Sequence, residues 1–247
     1  LYSSAASDVY KRQSLWGAEA LVRWISPKYG FIMPSDFIPQ LEKTDLVCKI
    51  DYYIFEEVCK LKRKWKNENL HYAELAISIN MSRRHFDDPD FVGTIVNIAR
   101  KYDIPFYELD LEITENIFLE NMEHICDVVK SFHELGFQIS IDDFGSGYSS
   151  LGMLKDVDAD CLKLDKTFVD MTGSTQKANA IIRNVISMGL DLHMKVISEG
   201  VETESQKNLI TTFGCEIIQG YYYSKPVGEE QLKKLLLEEM YNKKDAS

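Results

Sequence analysis

The chain has 247 residues, of which 45% are hydrophobic, and it carries a formal net charge of -11 at pH 7. This composition allows one large core or two modest ones, and it excludes a disordered or fibrous protein. The negative charge excludes efficient non-specific binding of nucleic-acid polymers, because phosphate binding needs a basic field. An anionic substrate would need another source of positive potential, for which divalent cations are the obvious candidates.

The five cysteines are odd in number and show no CxxC spacing. They therefore predict buried thiols in a reducing compartment rather than disulfides or a zinc site. The sequence contains no apolar run of the roughly 18 residues that a membrane span needs, and it does not open on a signal peptide. We therefore expect a cytoplasmic location, with any membrane anchor of a parent protein lying in another region.

The first thirteen residues, LYSSAASDVYKRQ, have no periodicity and do not continue into the pattern of the next residues. Part of this stretch resembles a translated adaptor tail. We interpret residues 1–13 as a non-native or linker segment and exclude them from the fold argument. No linker or shift in composition interrupts the rest of the chain, so residues 14–247 are interpreted as one domain.

From Gly17 onward, strand-like and helix-like patterns alternate along the chain. Short β-branched or apolar runs predict strands at residues 18–24, 74–80, 108–114, 137–143, 161–165, 195–199 and 216–220. Apolar residues at helical spacing predict helices between them, at residues 50–65, 90–102, 120–135, 175–190, 204–213 and 229–241.

This alternation predicts parallel βαβ units and hence an α/β fold. It favours a TIM-like (β/α)8 barrel, whose usual length is about 250 residues. The alternative is an open doubly wound sheet, but the glycine-rich GxGxxG turn typical of that fold is absent from the sequence. The seven predicted strands are one short of a closed barrel.

Each predicted strand carries a polar residue at or near its C-terminal end. These residues are Glu19 with Arg23, Asn80, Glu112, Asp142 with Asp143, Lys163, Glu199 and Gln219. In a parallel barrel all strand C-termini meet at one face, and active sites are built there. Taken singly, each residue could be a helix cap, a turn residue or half of an ion pair, but those roles do not predict recurrence on every strand.

The adjacent carboxylates of Asp142 and Asp143 make the pattern more specific. Several converging carboxylates cannot all stay ionised without compensation. Asp, Glu and Asn oxygens are the ligands that Mg²⁺ and Mn²⁺ select. At a strand end, two neighbouring carboxylates can bind two different metal ions, an arrangement used against phosphodiesters. The sequence therefore predicts a two-metal site at this face.

The motifs around these residues resemble those of the EAL domain, the bacterial phosphodiesterase domain that linearises cyclic di-GMP. The resemblance covers about residues 17–240. The matching motifs, in chain order, are EALVRW with Glu19, SINMS with Asn80, LEITE with Glu112 and Glu115, IDDFGSGYSSL with Asp142 and Asp143, LKLDKTFV with Lys163, SEGVET with Glu199, and QGYYYSKP with Gln219.

The resemblance implies a role for each matched residue. Lys163 would orient the attacking water or steady the phosphate, and with Glu19 and Glu199 it would form the catalytic set. Arg23 and Gln219 would bind the substrate. Glu115 would anchor the glycine-bearing loop after Asp143, near a dimer contact. The residues implied as ligands of two Mg²⁺ or Mn²⁺ ions are Glu19, Asn80, Glu112, Asp142, Asp143 and Glu199.

The function implied by the resemblance is metal-dependent hydrolysis of cyclic di-GMP to linear pGpG. The implied partners are cyclic di-GMP, a second copy in a homodimer and the regulatory domains of a longer parent protein, with no nucleic-acid polymer. One alternative is a catalytically silent cyclic di-GMP sensor. Another is an unrelated Mg²⁺-dependent barrel lyase or aldolase with Lys163 as its base.

The sequence departs from the family at its start. The family places a strand before the EAL motif, and here that place is taken by residues 1–13. We therefore predict that the first family strand is missing or replaced. A seven-stranded barrel would leave an edge open beside the strand that carries Glu19.

Overall fold

A computed structural model of the chain describes residues 2–8, 14–68, 70, 74–119, 121–146 and 151–244, with side chains between residues 15 and 237. The strands are β1 (Tyr2–Asp8), β2 (Ser14–Leu21), β3 (Trp24–Ser26), β4 (Gly30–Ile32), β5 (Ala76–Asn80), β6 (Leu109–Thr114), β7 (Gln138–Phe144), β8 (Cys161–Leu164), β9 (Lys195–Ser198), β10 (Ile217–Gln219) and β11 (Val227–Gly228). The helices are α1 (Pro34–Leu41), α2 (Leu46–Asn67), α3 (Phe91–Lys101), α4 (Met122–Leu135), α5 (Lys166–Asp170), α6 (Gln176–Asp191), α7 (Glu204–Thr212) and α8 (Glu229–Lys244).

The predicted TIM-like barrel is confirmed. Within the described ranges, the parallel strands follow the order β2, β5, β6, β7, β8, β9 and β10, with helices in the connections between successive strands. The predicted strand at 18–24 differs most from its counterpart, because β2 ends at Leu21. The chain then leaves the barrel and forms the β3–β4 hairpin.

Strand β1 fills the gap between β2 and β10. It runs antiparallel to both neighbours, with Ser4 opposite Glu19 and Ala6 opposite Gln219. The expected open edge beside the Glu19 strand is therefore wrong. The physical reason is that β2 and β10 both offer unpaired backbone groups at the gap, and one antiparallel segment pairs with both.

A replaced first strand is thus consistent with the structure, whereas an empty place is not. The origin of residues 1–13, as a non-native or linker segment, stays a prediction. Residues 1 and 9–13 of that segment lie outside the described residues.

The barrel interior has an apolar end and a polar end. Because side chains alternate along a strand, residues two apart on one strand point to the same side. Cys161, Ile197 and Ile217 pack with Trp16 as a small cluster. Each of the first three residues lies two positions before Lys163, Glu199 or Gln219. The apolar cluster therefore closes the N-terminal end of the barrel, and the polar residues lie towards its C-terminal mouth.

The helices cover the outside of the barrel through one apolar face each. Helix α2 buries Phe55, Val58, Cys59 and Trp65 completely. It contacts β5 and α3. Because α2 connects the parallel strands β2 and β5, it runs opposite to them, and its N-terminal end lies beside the barrel mouth. No helix within the described residues is both long enough and apolar enough to cross a membrane.

Candidate active site

The predicted polar residues converge around the ammonium group of Lys163. This side chain is only 2% exposed. Among the described residues, the carboxylate oxygens within ion-pair distance of its Nζ belong to Glu112 at 2.5 Å, Glu199 at 2.8 Å, Asp142 at 3.2 Å and Glu19 at 3.7 Å. These groups come from different strands or strand ends, so the parallel barrel has assembled them from distant parts of the chain.

Two amide side chains fix the carboxylate of Glu19. Asn80 donates from Nδ2 to Oε1 at 3.0 Å, and Gln219 donates from Nε2 to Oε2 at 2.7 Å. Asn80 ends β5 and is exposed, whereas Gln219 ends β10 and is buried. Asn80 therefore holds Glu19 from the neighbouring strand β5. Gln219 holds it from β10, which lies on the far side of β1.

The Asp142–Asp143 pair lies at the point where β7 stops being regular. The register between β7 and β8 shifts between Ile141 and Phe144, and Asp143 has a left-handed φ of 54°. This kink lets two adjacent carboxylates reach one region rather than opposite sides of the sheet. One oxygen each from Asp142, Asp143 and Glu199 lies within 4.8 Å of the other two.

Glu115 anchors the loop that follows Asp143. It begins the short 3₁₀ helix Glu115–Leu119 and is buried, and its Oε2 accepts a hydrogen bond from the backbone N–H of Gly145 at 3.1 Å. Gly145 has a φ of 92°, and a Cβ there would lie 1.9 Å from the ring of Phe168. Glycine is required here because the loop passes directly over that ring. Residues 147–150 of the same loop lie outside the described part of the chain.

Arg23 lies at the rim and not within the carboxylate cluster. It is half-buried, and its Nη1 donates to the carbonyl of Val22 at 2.8 Å. Arg23 and Asn80 line a cavity of about 330 Å³ with apolar residues such as Ile38 and Ile54. Asn80 links the wall of this cavity to the cluster through its hydrogen bond to Glu19.

Burial and charge repulsion raise the pKa values of several carboxylates in the site. Burial raises the pKa of Glu199 to about 8 and that of Asp143 to about 6, with Asp142 adding to the second shift. Burial, followed by the charge of Glu19, raises the pKa of Glu112 well above its ordinary range. Burial alone would lower the pKa of Lys163, but the surrounding carboxylates outweigh it and hold that pKa well above its usual value.

Two polar pairs near the site were not found from the sequence. Asp110 is buried two positions before Glu112, and Ser140 donates to its Oδ2 at 2.6 Å. The two-residue repeat of a strand could have identified Asp110 as an interior residue. Asp51, on the cavity wall, accepts hydrogen bonds from the N–H of Ser82 and from His85 Nε2, both at 3.0 Å. That pair joins α2 to the loop after β5, and no local pattern signals it.

The donor set fits divalent cations. Oε2 of Glu112 is buried and accepts no hydrogen bond within the described residues, and the buried oxygens of Asp142 and Glu199 lie at ion-pair distance from Lys163. One ammonium cannot balance this number of carboxylates, and carboxylate oxygens are preferred ligands of Mg²⁺ and Mn²⁺. The cluster at Asp142, Asp143 and Glu199 is the part where ligand oxygens already lie close together.

The family profile described as EAL domain matches residues 8–226, which is most of the chain. The chain belongs to the EAL domain family. Its relatives include the signaling protein YkoW of Bacillus subtilis, which is 38% identical over 229 residues, covering 93% of this chain and 28% of YkoW. Another is the bifunctional diguanylate cyclase/cyclic di-GMP phosphodiesterase MucR of Pseudomonas aeruginosa, which is 34% identical over 216 residues. The match covers 87% of this chain and 31% of MucR.

A solved EAL structure has the same fold throughout. The structure of the PaMucR phosphodiesterase in complex with c-di-GMP matches with a TM-score of 0.87 and 32% identity, covering 94% of this chain and 93% of that one. The chain thus spans nearly all of that solved domain, but less than a third of the length of YkoW or of full-length MucR. In those two relatives an EAL domain is one part of a longer protein.

Proposed function

We propose that this EAL domain is a metal-dependent phosphodiesterase that hydrolyses cyclic di-GMP to linear pGpG. The observation that carries the proposal is the excess of carboxylates over cationic groups around Lys163 at the barrel mouth. The relatives named as cyclic di-GMP phosphodiesterases support the choice of substrate. The solved complex of PaMucR with c-di-GMP supports it as well.

The residues that would hold two Mg²⁺ or Mn²⁺ ions are those at the cluster. Glu19, Asn80, Glu112 and Asp142 would bind the first ion, and Asp142 and Asp143 the second, with Glu199 beside them. Ions held there would supply an activated water nucleophile and positive charge against the phosphoryl oxygens. The amides of Asn80 and Gln219 keep the Glu19 carboxylate oriented, so that little reorganisation is needed on binding.

Lys163 acts as a protonated donor rather than as a base. In the cation-free site the surrounding carboxylates hold its pKa well above the usual value, whereas a lysine base needs a lowered pKa. The ammonium can therefore orient the attacking water and offset charge on the phosphate. The water oxygen bonds to phosphorus, and the bond from phosphorus to the 3′ oxygen breaks. One proton of the water is transferred to the 3′ oxygen, which leaves as a hydroxyl group. The raised pKa of Lys163 disfavours the lyase or aldolase alternative.

Substrate orientation would come from the rim. Arg23 would contact a phosphate, and the adjacent cavity of about 330 Å³ is large enough for a purine base. Gln219 would contribute through Glu19, to which it is hydrogen-bonded. Glu115 would keep the loop that follows Asp143 in place through the N–H of Gly145.

A homodimer and regulation by further domains of a longer parent protein complete the proposal. Exposed apolar side chains occur on the elements that flank the Gly145 loop, at Leu119, Leu151 and Met171. A surface of that kind suits contact with a second copy. Light scattering on the purified chain would measure the dimer, and Leu151→Lys would be expected to shift it towards monomer.

The test is hydrolysis of cyclic di-GMP by the purified chain, with pGpG followed by chromatography. Mg²⁺, Mn²⁺ and chelator would be compared. We expect metal-dependent pGpG that disappears in Glu19→Gln and persists in Glu216→Gln. The second variant is a matched control, because it makes the same chemical change at an exposed residue beside β10.

Two outcomes would overturn the proposal. A folded protein that binds cyclic di-GMP with metal but forms no pGpG would be a sensor. A folded protein that neither binds nor cleaves it would exclude this substrate.

A further inference from the structure

A small chamber lies inside the barrel beneath the carboxylate cluster. Its volume is about 20 Å³, and its polar wall is formed by Ser78, Asp110, Glu112, Lys163 and Gln219. Trp16 and Ile197 lie on its apolar side. A buried water needs roughly 10–15 Å³, so the chamber has room for at least one water molecule.

Asp110 is the residue that points to a ligand in this chamber. It is only 5% exposed, and one carboxylate oxygen, Oδ2, accepts the Ser140 hydroxyl at 2.6 Å. The other oxygen, Oδ1, is buried and accepts no hydrogen bond from the described residues. An unpaired carboxylate oxygen at this depth is costly, because it has lost its hydration without gaining a donor.

The strand register brings complementary groups to the same place. Ser78 on β5 is the backbone partner of Asp110 on β6, and both line the chamber. Glu112 follows Asp110 by two positions and therefore projects to the same side of β6. A single water would thus have two carboxylate acceptors in Asp110 and Glu112, and the Ser78 hydroxyl would add a third partner. Two to four partners are usual for a buried water.

We propose that this chamber binds one ordered water molecule that joins Asp110 to Glu112, and that Asp110 is thereby a positioning residue for the cation-binding carboxylates. The second half of the proposal rests on the proposed function, because it takes Glu112 as a cation ligand. Oε1 of Glu112 is paired with Lys163. A water below would restrain the same carboxylate from the opposite side and limit its rotation, as outer partners of metal ligands do.

The experiment changes the space in the chamber without changing its charge. Ser78→Val adds a branched side chain that fills the chamber and suits a strand. Ser78→Ala also lacks the hydroxyl but leaves the space open and keeps both carboxylate acceptors, so it controls for loss of the hydroxyl alone. Mn²⁺ binding would be measured by electron paramagnetic resonance. A crystal structure of each protein would show whether the chamber holds a water. Asp110→Leu removes the acceptor as an independent second variant.

We expect one water in the parent protein and in Ser78→Ala, hydrogen-bonded to Asp110, and none in Ser78→Val. Mn²⁺ affinity should fall about tenfold in Ser78→Val and Asp110→Leu and stay within about threefold in Ser78→Ala. Melting temperatures separate this effect from loss of folding, and Ser78→Val keeps the test decisive if Asp110→Leu does not fold.

Three results would overturn the inference. A dry chamber in the parent protein would reject the water. Equal Mn²⁺ affinity in Ser78→Val and Ser78→Ala would reject the positioning role. A parent protein that holds the water and binds no Mn²⁺ would reject that role together with the proposed function, while the water site would stand by itself.

Discussion

Lys62 and Lys163 are the buried lysines among the residues whose side chains the structure describes, and their surroundings differ in charge. Lys62 on α2 is completely buried, and its Nζ lies 3.0 Å from Glu108 and donates to the carbonyl of Leu75 at 2.6 Å. Lys66 pairs with the same glutamate at 2.8 Å. Among the described residues, the ion pairs at Lys62 therefore join two ammonium groups to one carboxylate, whereas four carboxylates surround the single ammonium of Lys163.

The difference shows that burial of a charge does not by itself mark a functional site. Burial lowers the pKa of Lys62, although Glu108 opposes the shift. The carboxylates around Lys163 raise the pKa of that lysine despite its burial. The buried Lys62–Glu108 pair, with the hydrogen bond from Lys62 to the carbonyl of Leu75, is a structural contact between α2 and the barrel. A buried cluster with unbalanced negative charge favours the binding of cations.

The largest difference between the clusters should appear in catalysis. Lys163→Met removes the ammonium that we propose orients water and offsets phosphate charge, so we expect pGpG formation to fall about 10²–10³-fold. Lys62→Met is the control, because it makes the same change outside the site, and its rate per folded molecule should stay within about threefold. Equal losses in the two variants would remove the distinction between the clusters. Chromatography of pGpG measures both rates.

The second expected effect is on stability. Lys62→Met breaks a buried ion pair and leaves Glu108 with Lys66 alone, so the free energy of unfolding should fall by about 3 kcal/mol. Urea denaturation followed by circular dichroism measures this change. A loss below about 1 kcal/mol would show that Lys66 compensates for Lys62 and that the first lysine is dispensable.

The third expected effect is a dependence of stability on pH, which arises from the excess of carboxylates around Lys163. The pKa values of Glu199, about 8, and Asp143, about 6, lie above their ordinary values in the unfolded chain. Between the ordinary and the raised values the folded protein binds more protons than the unfolded one, so stability falls as pH rises through that interval. Without divalent cations, we expect the melting temperature to drop by about 4 °C or more from pH 6 to pH 8.

Saturating Mg²⁺ should remove most of that drop, because cations replace the protons on the carboxylates. The measurement is thermal unfolding with chelator and with Mg²⁺ at each pH. A melting temperature that rises with pH in chelator would contradict the assigned direction of the shifts.

The smallest effect concerns a carboxylate at the edge of the site. Glu115→Gln weakens the charge-assisted hydrogen bond to Gly145, which should loosen the loop after Asp143 and lower hydrolysis about tenfold. The matched control is Glu123→Gln, at an exposed residue near the start of α4. Steady-state kinetics at several Mg²⁺ concentrations should show a higher Mg²⁺ requirement for Glu115→Gln only. An unchanged requirement would assign Glu115 a purely structural role.

The order of strands and helices and the polar residues at the strand ends could be predicted from the amino-acid sequence. Those features depend on local periodicity, and the repeat of βα units then predicts that the strand ends meet. This is why Glu19, Glu112, Asp142, Lys163 and Glu199 could be grouped before any distance was known. The period of two in a strand would also have placed Asp110 inside the barrel.

The closure of the barrel and the set of charges that are buried together depend on the tertiary structure. The segment Tyr2–Asp8 has no strand periodicity, yet it pairs with β2 and β10 because both present free backbone groups at the gap. Lys62 lies in the basic run KLKRKW, which resembles a solvated helix face, and its burial results from how α2 packs on the barrel. Local periodicity fixes the side of an element on which a residue lies, whereas distances between elements depend on register and packing across the whole chain.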